Sequence, residues 1–333
     1  MLTPPTDLDP DALVEPLRHW QLDEARLEYL TVGFGSHHWR ADTPDGRRAF
    51  VTVDDLVAGF LASGDAAATF AALERAYRTA TALAEGGLEF VLAPLPDTGG
   101  AVARRVGERY AVSVAQFIEG TSKSFGDYET KGERRRVAAL VGRLHAAGEG
   151  VPAGLPRRDE LAIPSRSILE EALDSLSVPW LTGPFAEPAR ALLAARAAEL
   201  RRSLRAHDER AARLRARANA WVITHGEPHR ANVVVDTAGA PHLVDWDTTL
   251  VAPRERDLWH VLDGALTGWE EYRAAAGDVE LDREALGHYR EAWDLADVAA
   301  FVAGFRRPHG EDDNATAAFG HLRAYLSGPH AWS

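Results

Sequence analysis

Between Trp221 and Asp247 the chain reads WVITHGEPHRANVVVDTAGAPHLVDWD, and this stretch concentrates side chains able to do chemistry. An apolar lead-in, Trp221-Val222-Ile223, runs into a polar loop, His225-Gly226-Glu227-Pro228-His229-Arg230-Ala231-Asn232. Val233-Val234-Val235 follows, then a turn over residues 236–240, then His242-Leu243-Val244 ending on Asp245-Trp246-Asp247. Two short apolar runs joined by a glycine-containing turn predict a hairpin. Its geometry sets Asn232 before the first strand and Asp245 after the second, so both fall at one edge, with Glu227 alongside. Hard oxygen donors of this kind suit Mg²⁺, which takes one or two carboxylates and fills its shell with phosphates and water. A separate acid can orient or deprotonate an attacking hydroxyl. Positioning, metal charge and a base are the parts phosphoryl transfer needs.

In this segment the chain resembles the aminoglycoside phosphotransferase family, small-molecule kinases with a protein-kinase-like fold. The family pattern is His-Gly-Asp, four residues, Asn, a hairpin, and an apolar strand ending in Asp. Here it reads His225-Gly226-Glu227, four residues, Asn232, a hairpin and Asp245. The resemblance implies that Glu227 is the catalytic base, that His225 braces the loop through hydrogen bonds, and that Asn232 and Asp245 hold Mg²⁺. Asp247 is either a second metal ligand or a cap on the following segment. The run Pro253-Arg254-Glu255-Arg256-Asp257-Leu258-Trp259 resembles the family's proline-to-Asp-Leu segment, which implies that Asp257 ties the catalytic loop through hydrogen bonds. One position departs from the pattern, since Glu227 stands where the family has Asp. The two acids have similar intrinsic strength. The extra methylene, however, moves the carboxylate by about 1 Å, enough to matter beside a reacting hydroxyl. A working base and a degenerate one are both open at this point.

Composition bounds the setting. The 333 residues are 46% hydrophobic and 26% charged, enough chain for one large or two ordinary domains. There is no cysteine, so disulfides and thiolate metal sites are excluded and a reducing cytoplasm is expected. No apolar run is long enough for a membrane span. A net charge of −13 without a basic block gives no nucleic-acid footprint. The acidity suits a cationic substrate, although a solvated acidic surface is its commoner cause.

The elements that must position the site are read in order. Residues 10–20 predict a helix opened by Asp9-Pro10. Strands are expected at 26–32, 37–41 and 48–53, a helix at 63–86, and strands near 90–92, 101–105 and 110–118. The link Gly33-Phe34-Gly35-Ser36 is either a plain hairpin turn or a flap over nucleotide phosphates; the resemblance implies the flap, with Gly33, Gly35 and Ser36 as its contacts. In the family a lysine on the third strand holds the phosphates and pairs with a helix acid. Thr52 occupies that position here, and the only lysines are Lys123 and Lys131. His37, His38 and Arg40 are the nearest substitutes, Arg40 being the one that could project toward the phosphates. Gln116 and Ile118 fall where the family's hinge reads the adenine edge through its backbone. Beyond residue 121 helices are expected at 131–147, 165–176, 186–218 (one long helix or a bent pair), 255–268, 282–303 and 313–327.

The expected architecture is therefore α+β and bilobal, protein-kinase-like. A small antiparallel β-rich lobe over residues 1–118 would bind nucleotide, and a larger helical lobe over 119–333 would hold the catalytic loop and the acceptor. The expected function is transfer of the γ-phosphate of ATP or GTP, with Mg²⁺, to a hydroxyl of a small molecule. The resemblance implies an aminoglycoside or aminocyclitol antibiotic or a related amino sugar, in a resistance or a biosynthetic role. The rival is a kinase-like protein that binds a small ligand or nucleotide without transfer. Neither nucleic acid nor membrane is expected as a partner, and the chain is expected as a monomer or dimer in the cytoplasm.

Overall fold

The computed structural model describes residues 1–33, 35–57, 65–217 and 221–327. The expected helix start at Ser63-Gly64, the flap residue Phe34 and Ala218 lie outside them. The chain opens with 3₁₀ turns at Pro10–Leu13 and Arg18–Trp20 flanking α1 (Val14–Leu17). Then come β1 (Arg26–Leu30), β2 (His37–Asp42), β3 (Arg48–Asp55), α2 (Ala66–Glu85), β4 (Arg104–Val106), β5 (Tyr110–Gln116), β6 (Gly120–Thr121) and α3 (Lys131–Ala146). These are followed by β7 (Arg157–Arg158), α4 (Arg166–Asp174), α5 (Ala186–Arg215), β8 (Val222–Thr224), β9 (Val233–Asp236), β10 (Pro241–Leu243) and β11 (Leu250–Ala252). The chain ends with α6 (Glu255–Val261), α7 (Trp269–Ala276), α8 (Arg283–Phe305) and α9 (Asp313–Ser327). An antiparallel sheet leads and helices dominate afterwards, the α+β order expected from the sequence.

The chain folds into two compact units. The first joins Thr3–Asp159 to Asn219–Asp282; the second joins Glu160–Ala218 to Arg283–Ser333. In the first, a five-stranded antiparallel sheet runs in the order β1-β2-β3-β5-β4. Side chains alternate across β3, so Ala49, Val51 and Val53 bury one face against Trp39, Val112, Val114, Leu13, Leu17 and Trp20. Phe50, Thr52 and Asp54 therefore share the opposite face. Two three-stranded sheets, β10-β9-β6 and β7-β11-β8, carry the loops of interest. Helix α3 starts on a reciprocal cap, Thr130 accepting from the Glu133 amide and Glu133 from the Thr130 amide.

The second unit is all helical. Its core joins Leu169 and Leu173 of α4, Leu193, Leu200 and Leu204 of α5, Leu295, Val298 and Val302 of α8, and Leu322 and Leu326 of α9. Of the two forms open for 186–218, α5 takes the long one, an unbroken helix of 30 residues. The helix expected over 255–268 is corrected: α6 stops at Val261, Leu262 turns extended, and Leu266 and Gly268 take positive φ before α7 begins. Apolar periodicity runs through this break because both helices bury one face, and only the backbone reversal separates them. No helix among the described residues is long and apolar enough to cross a membrane.

Candidate active site

Strand β8 delivers His225 into a fully buried position. Its Nε2 donates to the Val244 carbonyl (2.9 Å), and its Nδ1 accepts from the Glu227 amide (3.2 Å). Both ring nitrogens are thereby committed as in a neutral imidazole, and burial pushes the pKa down to about 4. His225 is a brace between the loop and the strand before Asp245. Gly226 has φ 103°, and a Cβ there would stand 2.5 Å from Thr248 Oγ1 and from the Arg256 guanidinium. Only glycine fits that turn.

A second support lies beneath. The buried carboxylate of Asp257 accepts from the amides of His225 (2.8 Å) and Gly226 (2.6 Å) and from His145 Nε2 (3.0 Å). His145 in turn meets the Tyr272 hydroxyl at 2.8 Å. Against the pull of burial, the His145 hydrogen bond and the charges of His145, His225 and Arg256 hold the Asp257 carboxyl below the usual range. Arg256 bonds Thr224 Oγ1 and the Thr248 carbonyl, so its guanidinium is structural.

The hairpin forms with Val233 opposite Leu243 and Val235 opposite Pro241. At its base the Val244 amide donates to the Asn232 carbonyl at 3.0 Å, which brings Asn232 and Asp245 to one edge. Asn232 Nδ2 donates to the Glu227 carbonyl (3.1 Å), leaving Oδ1 as the amide's remaining acceptor. Asp245 takes φ 68°, left-handed backbone that is uncommon outside glycine. Such strain persists where the surroundings overdetermine it, and it concentrates at functional sites. Trp246, buried and bonded through Nε1 to the Leu243 carbonyl, anchors the turn between the two aspartates.

The carboxyls of Asp245 and Asp247 lie within hydrogen-bond reach of each other. Desolvation by the protein packed around them, then the charges of the neighbouring carboxylates, Glu227 and Asp54 among them, push both above the ordinary carboxylate range. No helix starts at Asp247, the next beginning at Glu255. Asp245 keeps an open face to solvent. Among the described residues no three His, Cys, Asp or Glu side chains are grouped to hold a metal by themselves. Two mutually repelling carboxylates and one amide oxygen do fit Mg²⁺, which supplies the rest of its shell from water and phosphate.

Glu227 Oε2 lies 3.7 Å from His229 Nε2. His229 is packed between the rings of Phe125 (4.8 Å) and His260 (5.6 Å). Segment 124–128, which sequence reasoning passed over, laces onto this loop: Tyr128 donates to the Pro228 carbonyl, and Arg230 donates to those of Ser124 and Asp127.

The expected nucleotide residues fall in the same unit. Gly33 and Gly35 have φ 69° and 104°, and Ser36 leads into β2. Gln116 ends β5, and Ile118 lies between β5 and β6. Strand β6 pairs with β9, where a Cβ at Gly120 would stand 2.4 Å from the Val235 carbonyl oxygen. The segment after β5 is thus bonded directly to the hairpin. Thr52 meets His38 Nδ1 at 3.2 Å.

None of the substitutes named for the missing lysine fills its place. Burial lowers His37 to about 4 and His38 to about 3, so neither carries charge at neutral pH. Arg40, which could project toward the phosphates or be an ordinary surface arginine, pairs with Glu28 (2.9 Å) and Asp42 (2.8 Å). On this face of β3 Arg48 is paired with Glu119, and the buried ionisable group is an acid, Asp54, which accepts from Ser36 Oγ (2.6 Å) and the Tyr77 hydroxyl (3.1 Å). Sequence reasoning missed it by stopping at Thr52; the period-two alternation that pairs positions 52 and 54 was the available signal.

Burial raises the Asp54 pKa to about 6 from 3.8. The sign follows from proton linkage: the native state binds the extra proton, so this contribution weakens folding as pH rises from about 4 to 6. The cost at neutral pH is about 3 kcal/mol. Asp54→Asn is expected to unfold at higher temperature than the parent at pH 7.5 and to match it near pH 4. Melting curves across that range check it, and equal gaps at both ends would contradict it.

The antiparallel sheet and the helices that follow it form a kinase-like fold. The chain belongs to the phosphotransferase enzyme family, whose model matches residues 27–312. Protein StrN of Streptomyces griseus is 31% identical over 271 residues, covering 78% of each chain. Among solved structures, spectinomycin phosphotransferase APH(9)-Ia in complex with ADP and spectinomycin has a TM-score of 0.70 at 15% identity, over 96% of this chain and 94% of that one. Amicoumacin kinase hAmiN, bound to AMP-PNP and Ca²⁺, scores 0.59 at 13% identity over 98% and 96%. Choline kinase LicA from Streptococcus pneumoniae scores 0.55 at 14% over 95% and 97%. These structures share the kinase-like fold, and the family is one of small-molecule phosphotransferases.

Proposed function

We propose that this protein moves the γ-phosphate of ATP or GTP to a hydroxyl of an aminoglycoside, an aminocyclitol or a related amino sugar. The observation that carries the reading is the convergence of Asn232 Oδ1 and the Asp245–Asp247 pair beside Glu227, on a loop tied down by His225 and Asp257. In this reading Glu227 receives the acceptor's hydroxyl proton, and His225 holds the loop without itself titrating. Asn232, Asp245 and Asp247 would hold Mg²⁺, which when bound supplies positive charge to the phosphates. Gly33, Gly35 and Ser36 cover the phosphates, Thr52 lines the nucleotide face of β3, and Gln116 and Ile118 read the base through their backbone. The nucleotide-binding lobe is residues 1–118, with catalytic loop and acceptor site in 119–333. A polyhydroxylated amine as acceptor is supported by the net charge of −13 and by related folds that bind spectinomycin and amicoumacin.

Thr52 standing where a lysine would hold the phosphates favours a second reading, a kinase-like protein that binds without transfer. Calorimetric titration of ATP and GTP with and without Mg²⁺ separates the two. With no cation at position 52, binding is expected to depend on the metal and to be at least about a hundredfold weaker in its absence. Turnover is then followed by nucleotide diphosphate release with spectinomycin, amicoumacin and choline as acceptors. Failure of both nucleotides to bind in Mg²⁺ would sink the phosphotransferase reading; binding without any turnover would favour the rival.

A further inference from the structure

Asp54 poses a problem the phosphotransfer chemistry does not answer. It is a carboxylate on a β-strand, 8% exposed, with two hydroxyl groups as its hydrogen-bond partners. Among the described residues no cation contributes to holding it. The nearby guanidinium, Arg109, is spent on the next residue, Asp55. Burying a charge without a cation is destabilising, and an apolar or amide side chain could pack there at less cost. What a carboxylate offers instead is two strong, charge-assisted acceptors on one rigid group.

Both acceptors are used, and they point to two different elements. One oxygen takes Ser36 Oγ, at the end of the glycine loop between β1 and β2. The other takes the hydroxyl of Tyr77, on the buried face of α2. Tyr77 is 4% exposed and is also reached by Ser113 on β5, so its ring is fixed. A rigid helix thus holds the carboxylate, and the carboxylate holds the loop. In a kinase-like lobe the usual tie between strand and helix is a cation with an acid; here it is an acid between two hydroxyls.

We propose that Ser36, Asp54 and Tyr77 form a latch that fixes Gly35-Ser36, the end of the glycine loop, to α2, making Asp54 and Tyr77 positioning residues for nucleotide. The functional half of this rests on reading that loop as the phosphate flap. The latch itself stands on the hydrogen bonds. Tyr77 is the decisive member, because it touches Asp54 and acts on the loop only through it.

The test measures backbone amide order parameters of Gly35 and Ser36 by ¹⁵N relaxation, in the full chain without nucleotide, for the parent, Ser36→Ala, Tyr77→Phe and the double variant. The parent values should be near those of rigid backbone, about 0.85, and both single variants should fall below about 0.6. The double variant should fall no further than either single one, since both break the same chain of contacts. In turnover, each single variant should raise the nucleotide KM about tenfold with kcat within about twofold. A Tyr77→Phe that lowers the melting temperature but leaves the order parameters and KM unchanged would overturn the latch and make Tyr77 merely structural. If Tyr77→Phe does not fold, Ser36→Ala on the loop decides alone by the same measurements. If the parent neither binds nor consumes nucleotide, the flap reading fails while the relaxation data still decide the latch.

Discussion

Asp245→Asn is expected to reduce turnover on the order of 10³-fold and, in metal-free buffer, to melt at a higher temperature than the parent. The two effects have one cause. Asp245, Asp247, Glu227 and Asp54 repel one another, and the repulsion keeps both aspartates of the turn above the usual carboxylate range. Removing one charge relieves the folded state of that strain and removes the group that would hold the metal. Asparagine tolerates the left-handed backbone at this position as well as aspartate does, so the φ of 68° adds no new penalty. Thermal unfolding in EDTA and then in excess Mg²⁺ makes the comparison. The metal should stabilise the parent and leave the variant nearly unmoved. A variant that is less stable in EDTA and still responds to Mg²⁺ would place the metal elsewhere.

Glu227→Gln should cost about 10³-fold in kcat, within the range that loss of a general base produces, with little change in nucleotide affinity. The surrounding hydrogen bonds make this a clean substitution. The Glu227 amide donates to His225 and its carbonyl accepts from Asn232, so the backbone at 227 is held on both sides whatever the side chain does. For the same reason Glu227→Asp isolates reach from chemistry. The carboxylate would withdraw by about 1 Å from a place set for the longer side chain, and a loss of 10- to 100-fold is expected. Steady-state kinetics on the three proteins decide the matter. A gain in activity for Glu227→Asp would mean that the loop is shaped for aspartate and that the natural residue is the handicap.

The local parts of this site were readable in the chain. The hairpin, the convergence of Asn232 with Asp245, and the tie from Asp257 to the loop follow from turn chemistry and short spacings, and the structure contains all three. What escaped was set by distant pairing. Asp54 meets Tyr77 through helix–strand packing that no sequence period encodes. Likewise β6 lies on β9 and β7 beside β11, pairings between residues more than ninety positions apart. The break between α6 and α7 was hidden by apolar residues that continue across it. Arg40 looked available because its partners, Glu28 and Asp42, are set by the register of β1 on β2 and by the strand's own pleat.

The way the chain enters and leaves the helical unit has an engineering consequence. The excursion begins just after β7 and returns just before β8, and these two strands flank the same neighbour, β11. The departure and return points are therefore clamped in one small sheet, and the length or sequence of what lies between them is not dictated by the catalytic loop. The helices of this excursion, however, bury their leucines against α8 and α9 from the end of the chain. A chimera that borrows another family member's helices must consequently take two pieces, the insert 160–218 and the tail from 283, as a single cassette.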